Sequence, residues 1–159
     1  MRKETFKYIY SQHVSAIRNY IYYRSADAVL ADDITQETFI KIWEKDFVYE
    51  EGKIKSLLYT VANGLFLDYI RKQKLKNEYV EEIKFHLKNQ VESTEETEFL
   101  KQKCEKALVN LNEKERVVFL MSRKDELNYN QIAECLNLSI KAIEKRMTNA
   151  LKKLKLITK

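Results

Sequence analysis

Apolar residues recur at helical spacing along most of the chain, most clearly over 128–155. Ile132, Cys135 and Leu136 share one face of a short helix. After a break at Asn137 and Leu138, a second stripe follows: Ile140, Ile143, Met147, Ala150, Leu151 and Leu154. Asn128 with Gln131 three residues on is a capping box, and Ser139 caps the second helix. Asn137 tolerates the left-handed backbone that a tight stop between helices needs. The face opposite the second stripe carries Lys141, Lys145, Arg146, Asn149, Lys152 and Lys153. Two helices, a very short turn and a basic second helix are the pattern of a helix-turn-helix, whose second helix enters the major groove of DNA. A plain helical hairpin with a solvated basic face is the alternative.

Upstream, the same spacing predicts further helices. Over 3–24, Phe6, Tyr10, Val14, Ile17 and Ile21 form a stripe, and Tyr8, Tyr20, Tyr22 and Tyr23 make the helix aromatic on further sides. These tyrosines are expected in core or rim packing, with base stacking as the alternative. Asp27 caps a second helix to about residue 45, with Leu30, Ile34, Thr38 and Ile42 on one side and Phe39 with Trp43 adjoining. Its polar side carries Asp33, Gln36, Glu37 and Lys41, and Asp33 and Glu37 project together from successive turns. Residues 46–55 are expected as a loop and 56–73 as a third helix, on the stripe Leu58, Val61, Ala62, Leu65 and Tyr69. A basic run, Arg71, Lys72, Lys74 and Lys76, ends it. Residues 99–111 open a second bundle on Leu100, Cys104, Ala107, Leu108 and Leu111, and Asn112 with Glu115 is another capping box.

Composition narrows the fold. The 159 residues include no Pro and two Gly, too few for strands joined by tight turns, and are 45% hydrophobic. The fold class expected is all-α: two small helical bundles over 1–76 and 99–159, joined by an acidic linker over 77–98. The formal charge of +5 suits a polyanionic partner and is unevenly placed. Residues 139–159 hold seven Lys/Arg against Glu144, while 91–105 hold five Glu against two Lys. Cys104 and Cys135, on apolar stripes, are expected as buried thiols rather than as a disulfide or metal site. His13 and His86 have no ligand-spaced companion, so neither a metal nor another cofactor is expected. Nothing resembles a signal peptide or a membrane span, so the protein is expected in the cytosol and no membrane partner is implied. An Asp33–Glu37 acid/base site would need a pocket of His, Ser or a Gly-rich loop, and none accompanies it, so the chain does not read as an enzyme.

Three stretches carry a resemblance. DDITQETFIKIWE, with Asp33, Gln36, Glu37 and Phe39, resembles the second helix of the sigma factors of bacterial RNA polymerase. SLLYTVANGLFLDYIRK, with Leu58, Tyr59, Ala62, Asp68 and Arg71 in register, resembles the helix that follows it. LNEKERVVFLM and LNYNQIAECLNLSIKAIEKRMTNALKKL resemble that family's C-terminal DNA-binding domain. Two domains and a short linker are the layout of the extracytoplasmic-function group of the sigma-70 family.

The resemblance implies a non-enzymatic specificity subunit that binds core RNA polymerase, at its β′ clamp and β flap, together with promoter DNA. Asp33, Gln36, Glu37, Ile40 and Lys41 would dock on the clamp. Phe47, Tyr49, Tyr59, Asn63, Arg71 and Lys72 would hold the melted −10 strand by stacking and charge. Ser139, Lys141, Ala142, Lys145, Arg146 and Asn149 would meet the −35 element as duplex. The acidic linker would pass through the RNA exit path, and an anti-sigma factor covering both domains is a further partner of the group. The chain departs from the family at Leu57, where Trp is usual, at Gly64, where Asn is usual, and at Glu50, Glu51 and Glu144, which repel phosphates. Two readings follow: relaxed promoter readout aided by an accessory DNA-targeting factor, or ordinary divergence toward another promoter sequence. A stand-alone helix-turn-helix regulator is the competing class; it would not need the Asp33–Gln36–Glu37 face.

Overall fold

The computed structural model describes residues 2–45, 49–76, 102–103 and 105–158, and among them only helices, turns and irregular connections occur. Phe47, His86, Leu100, Cys104 and the acidic linker 77–98 lie outside the described residues. The first unit comprises α1 (Lys3–Ser25), α2 (Ala28–Glu44) and α3 (Glu51–Lys76). The second comprises α4 (Glu113–Arg123), α5 (Tyr129–Leu136) and α6 (Ile140–Thr158), preceded by a helical stretch at 105–109.

Local chemistry sets the boundaries. α1 stops where Ala26 takes a left-handed conformation, φ 55°, and returns its N–H to Tyr22 O. One residue later Asp27 accepts from Leu30 N and starts α2, so the two helices fold back on each other across a short corner. Asn112 and Glu115 form the predicted capping box: Glu115 N donates to Asn112 Oδ1 at 2.8 Å, and Asn112 N donates back to Glu115 Oε2 at 3.3 Å. Asn128 and Gln131 repeat it at 2.8 and 2.9 Å. Asn137 is left-handed, φ 54° and ψ 48°, and Ser139 Oγ accepts from Ala142 N at 3.1 Å, which completes the predicted helix-turn-helix. Replacing Asn112 by Ala leaves the first N–H groups of α4 without their acceptor, and we expect a loss of about 1 kcal/mol in chemical denaturation.

Four expectations need correction. The loop predicted to residue 55 ends at Glu50: Lys53 N and Ile54 N already donate to Glu50 O, and a Lys53–Glu50 ion pair of 2.8 Å braces the first turn of α3. Ile54 is buried there, which supplies the apolar anchor missing from the predicted stripe. On α3 Phe66 is buried and Tyr69 exposed, the reverse of the expectation at Tyr69. On α1 Tyr10 is exposed, and the core positions are Ile9, Ile17, Tyr20, Ile21 and Tyr23; Tyr20 and Tyr23 join the core because the C-terminal turns of α1 are covered from a second direction. On α6 Ile143, Met147 and Ala150 are buried, but Ile140 and Leu151 sit at the edges of the stripe and remain exposed.

That second direction is the other unit. α4 packs on α1, and α5 packs on α3. The buried apolar residues of both units form one continuous core. The buried threonine hydroxyls are absorbed locally: Thr35 and Thr38 donate to Ala31 O and Ile34 O, one turn back.

Candidate functional site

Three surfaces carry the chemistry singled out in the sequence. The first is the outer face of α2. Ala31, Ile34, Thr35, Thr38, Phe39 and Ile42 face inward, so helical geometry turns Asp33, Gln36, Glu37, Ile40 and Lys41 outward together, and all five are exposed. Ile40 is 54% exposed between these charges, and Trp43, one turn on, is 46% exposed. Trp43 packs edge-on against Phe6 at 5.0 Å, and Phe39 meets Tyr10 at 5.0 Å, so an aromatic cluster holds the end of this face rigid. Asp32, just beside it, is ion-paired to Arg18 of α1.

The second surface is the helix-turn-helix. Lys141 and Lys145 of α6 are exposed one turn apart, with Glu144 exposed between them; Ala142, Arg146 and Asn149 are half-buried or exposed beside them. Lys153, assigned to the basic face, is partly spent inward: its Nζ reaches the buried Glu115 at 2.9 Å and ties α6 to α4.

The third is the seam between the units, and here the residues predicted for the melted strand divide. Arg71 and Lys72 are exposed at the end of α3, with Arg71 Nη1 3.5 Å from Asp68. Tyr49 is half-buried and packs on the core. Tyr59 is 3% exposed: it stacks edge-on against Tyr20 at 5.0 Å, and its hydroxyl has no hydrogen-bond partner of normal geometry among the described residues. Asn63, one turn on, accepts from Arg24 Nη1 at 2.6 Å. Both line a cavity of about 810 Å³ between the units, which Arg146 of α6 enters from the opposite wall. Two sets of residues assigned to different stretches of DNA thus face each other across one cleft.

Sequence reasoning missed the residues that hold this cleft. Arg24 lies over the Phe66 ring at 4.3 Å, bonds Asn63 and pairs with Glu113 of α4. Arg116, on the inner face of α4 and 2% exposed, donates from Nε to Tyr23 O at 2.6 Å and from Nη2 to Arg24 O at 2.9 Å. Those are carbonyls of the last turn of α1, where the helix has acceptors without partners and a partial negative charge. Tyr23 Oη donates to Asp125 Oδ1 at 2.7 Å, and Asn19 Nδ2 reaches the same oxygen at 3.4 Å. Burial and the neighbouring carboxylate hold the Tyr23 phenol well above its usual range, so it remains a donor. Burial likewise pushes the Asp125 carboxyl up, and its Oδ2 is buried without a partner among the described residues. The signal available was an Arg among Val117, Val118 and Leu120; an acceptor on a distant backbone leaves no mark in the sequence.

Known proteins resemble the chain along both units. The family model of sigma-70 region 2 matches residues 9–76, which hold most of α1 and all of α2 and α3. That of sigma-70 region 4 matches residues 101–154, which hold the helix-turn-helix. The ferric citrate uptake sigma factor FecI of Escherichia coli (strain K12) is 30% identical over 149 residues, 92% of this chain and 86% of its own length.

The chain is a sigma factor of the sigma-70 family.

The extracytoplasmic-function sigma factor SigM of Bacillus subtilis (strain 168) is 26% identical over 85% of the chain and 83% of its own length, which agrees with that group. The sigma factor RpoE of Bartonella quintana, solved in complex with the anti-sigma factor NepR, superposes over 98% of this chain and 97% of its own with a TM-score of 0.75. At 22% identity that likeness concerns the two-unit helical fold. As a sigma factor the protein acts with RNA polymerase in transcription initiation, and no catalytic family is indicated. The match over α1, α2 and α3 leaves the stand-alone regulator without support. Among the described residues no helix is long and apolar enough to cross a membrane.

Proposed function

We propose that this sigma factor docks on the β′ clamp of core polymerase through Asp33, Gln36, Glu37, Ile40 and Lys41, and directs initiation at promoters whose duplex −35 element meets α6. The supporting observation is the outer face of α2. Two carboxylates, an amide and an apolar side chain project from it together, α2 packs on α1 and α3 of its own unit, and the aromatic cluster keeps its end fixed. Lys141 and Lys145 supply phosphate contacts, Arg146 and Asn149 reach for base edges, and Ser139 and Ala142 set the helix start against the groove. Tyr49, Asn63, Arg71 and Lys72 belong to the surface for the melted −10 strand; Phe47 lies outside the described residues, and Tyr59 is buried in the core. The second unit also meets the β flap, the acidic linker 77–98 follows the RNA exit path, and an anti-sigma factor engages both units. The working compartment is the cytoplasm.

Glu144 favours a finer reading. It stands exposed between Lys141 and Lys145 on the helix that faces DNA, where a carboxylate repels phosphates. Promoter readout is accordingly relaxed, and an accessory DNA-targeting factor contributes to placement. Transcription by core polymerase and this protein on a library of randomised promoters tests both levels. Transcripts above the core-alone background support the sigma function; a sharp two-element consensus among the templates used would refute relaxed readout and leave the docking assignment standing.

A further inference from the structure

We propose that Glu144 selects a cytosine in the duplex −35 element: its carboxylate accepts from the cytosine N4 amino group in the major groove, while Lys141 and Lys145 hold the phosphates that flank it. This preference presupposes the role proposed above for α6 as the duplex-facing helix. α6 turns Ile143, Met147 and Ala150 inward against α4 and α5. From 141 to 148 its exposed residues are Lys141, Glu144, Lys145 and Thr148, which share one side at steps of three, one and three. Arg146 and Asn149 are half-buried at the flank of that side. Glu144 is the one acidic residue of α6 and stands in its second turn, within the N-terminal part from which a recognition helix reaches base edges.

Its carboxylate is unspent. Glu144 is exposed and makes no ion pair among the described residues, although Lys141 lies three positions before it and Lys145 directly after it. An ion pair on so open a surface holds weakly, so a donor in the groove competes with it easily. Against phosphates the carboxylate costs affinity at every sequence. Base edges differ. Guanine and thymine present acceptors in the major groove, which repel it; adenine sets the N7 acceptor beside its N6 amino group; cytosine presents an amino donor alone. The carboxylate therefore recovers its cost most fully at cytosine. The two lysines, one turn apart on the same side, keep the helix in the groove against the repulsion. An element tolerant at most positions, with one preferred C·G pair, fits the relaxed readout proposed above.

Selection from promoter fragments randomised over the −35 element, with core polymerase and the full-length protein, tests this. Fragments retained by the native complex should favour C·G, with the cytosine on one fixed strand, at a single position by about tenfold over the other pairs. Glu144→Gln should move that preference to A·T at the same position, because a side-chain amide pairs with adenine N6 and N7. Glu144→Ala should flatten it. Both variants change an exposed side chain outside the core, so the fold is kept. Native fragments with no preferred C·G pair, or a C·G preference that persists in both variants, would overturn the proposal. If the native complex retained no more fragment than core polymerase alone, the reading of α6 as the duplex-facing helix would fall, and the cytosine preference with it. Retention without a position that depends on Glu144 would overturn the preference alone and leave that reading in place.

Discussion

The double variant Asp33→Lys, Glu37→Lys should weaken core polymerase binding by at least about a hundredfold while its thermal midpoint stays within about 2 °C of the native chain. Both carboxylates are exposed on α2 and turned away from the core, so reversing them removes no packing and leaves no buried group unpaired. Surface substitutions of that kind shift stability by about 0.5 kcal/mol or less. Across a desolvated interface the same charges weigh far more, because each reversal replaces attraction by repulsion: truncating one partner of such a pair costs about 2–5 kcal/mol. A titration of core enzyme at two ionic strengths measures the effect, and the loss should shrink as salt screens the charges. Asp32→Asn is the internal control. It breaks the Arg18 pair beside the docking face, and an exposed pair contributes about 0–1 kcal/mol to stability, so polymerase affinity should barely change. An equal loss in the control would mean that α2 as a whole, rather than its Asp33–Glu37 face, had been disturbed.

Caps and turns were the most legible features of the chain. Asn112 with Glu115, Asn128 with Gln131, and Asn137 each carry their instruction in a few neighbouring residues, and each adopts the expected geometry. Helix faces were legible where one side alone is covered: on α2 the polar and apolar positions separate cleanly, and the exposed side carrying Asp33, Gln36, Glu37 and Lys41 followed from them. They blurred on α1 and α3, which are covered from two sides once the second unit closes over them. Tyr20 and Tyr23 then count as core, and Tyr59 becomes core where a base-stacking surface was expected. The start of α3 was missed because Gly52 and the charges around it suggested a loop; the Lys53–Glu50 pair and buried Ile54 override that local preference. The seam was the least legible. Arg116 acts on the carbonyls of Tyr23 and Arg24, and every residue has a carbonyl, so nothing in the pattern of side chains could select those two.

Ile143→Ala should cost about 3 kcal/mol, a large part of the stability of a unit this small. Ile143 is fully buried in the core that also holds Ile132, Cys135, Met147 and Ala150, where α5 and α6 cross. Removing its outer methyls forfeits their burial and leaves a cavity that short helices joined by a tight turn at Asn137 can close only by shifting against each other. For a chain of this length the thermal midpoint, followed by circular dichroism, should fall by roughly 6–12 °C. The consequence for DNA should exceed what the melt alone suggests, because the packed stripe sets the angle at which Lys141 and Lys145 are presented. Lys141→Ala provides the contrast. It lies on the exposed side of α6, so stability should hold while duplex binding by the polymerase complex weakens. The dependence of log affinity on log salt should flatten by about 0.9, the share that one neutralised phosphate contributes to the slope. Together the pair separates the packing of one face of α6 against α4 and α5 from the role proposed for its other face, carrying charge to the groove. If Ile143→Ala bound duplex normally at temperatures where it is folded, the orientation of α6 would not depend on this core, and the helix-turn-helix would not be the rigid reading head that its caps and packing describe.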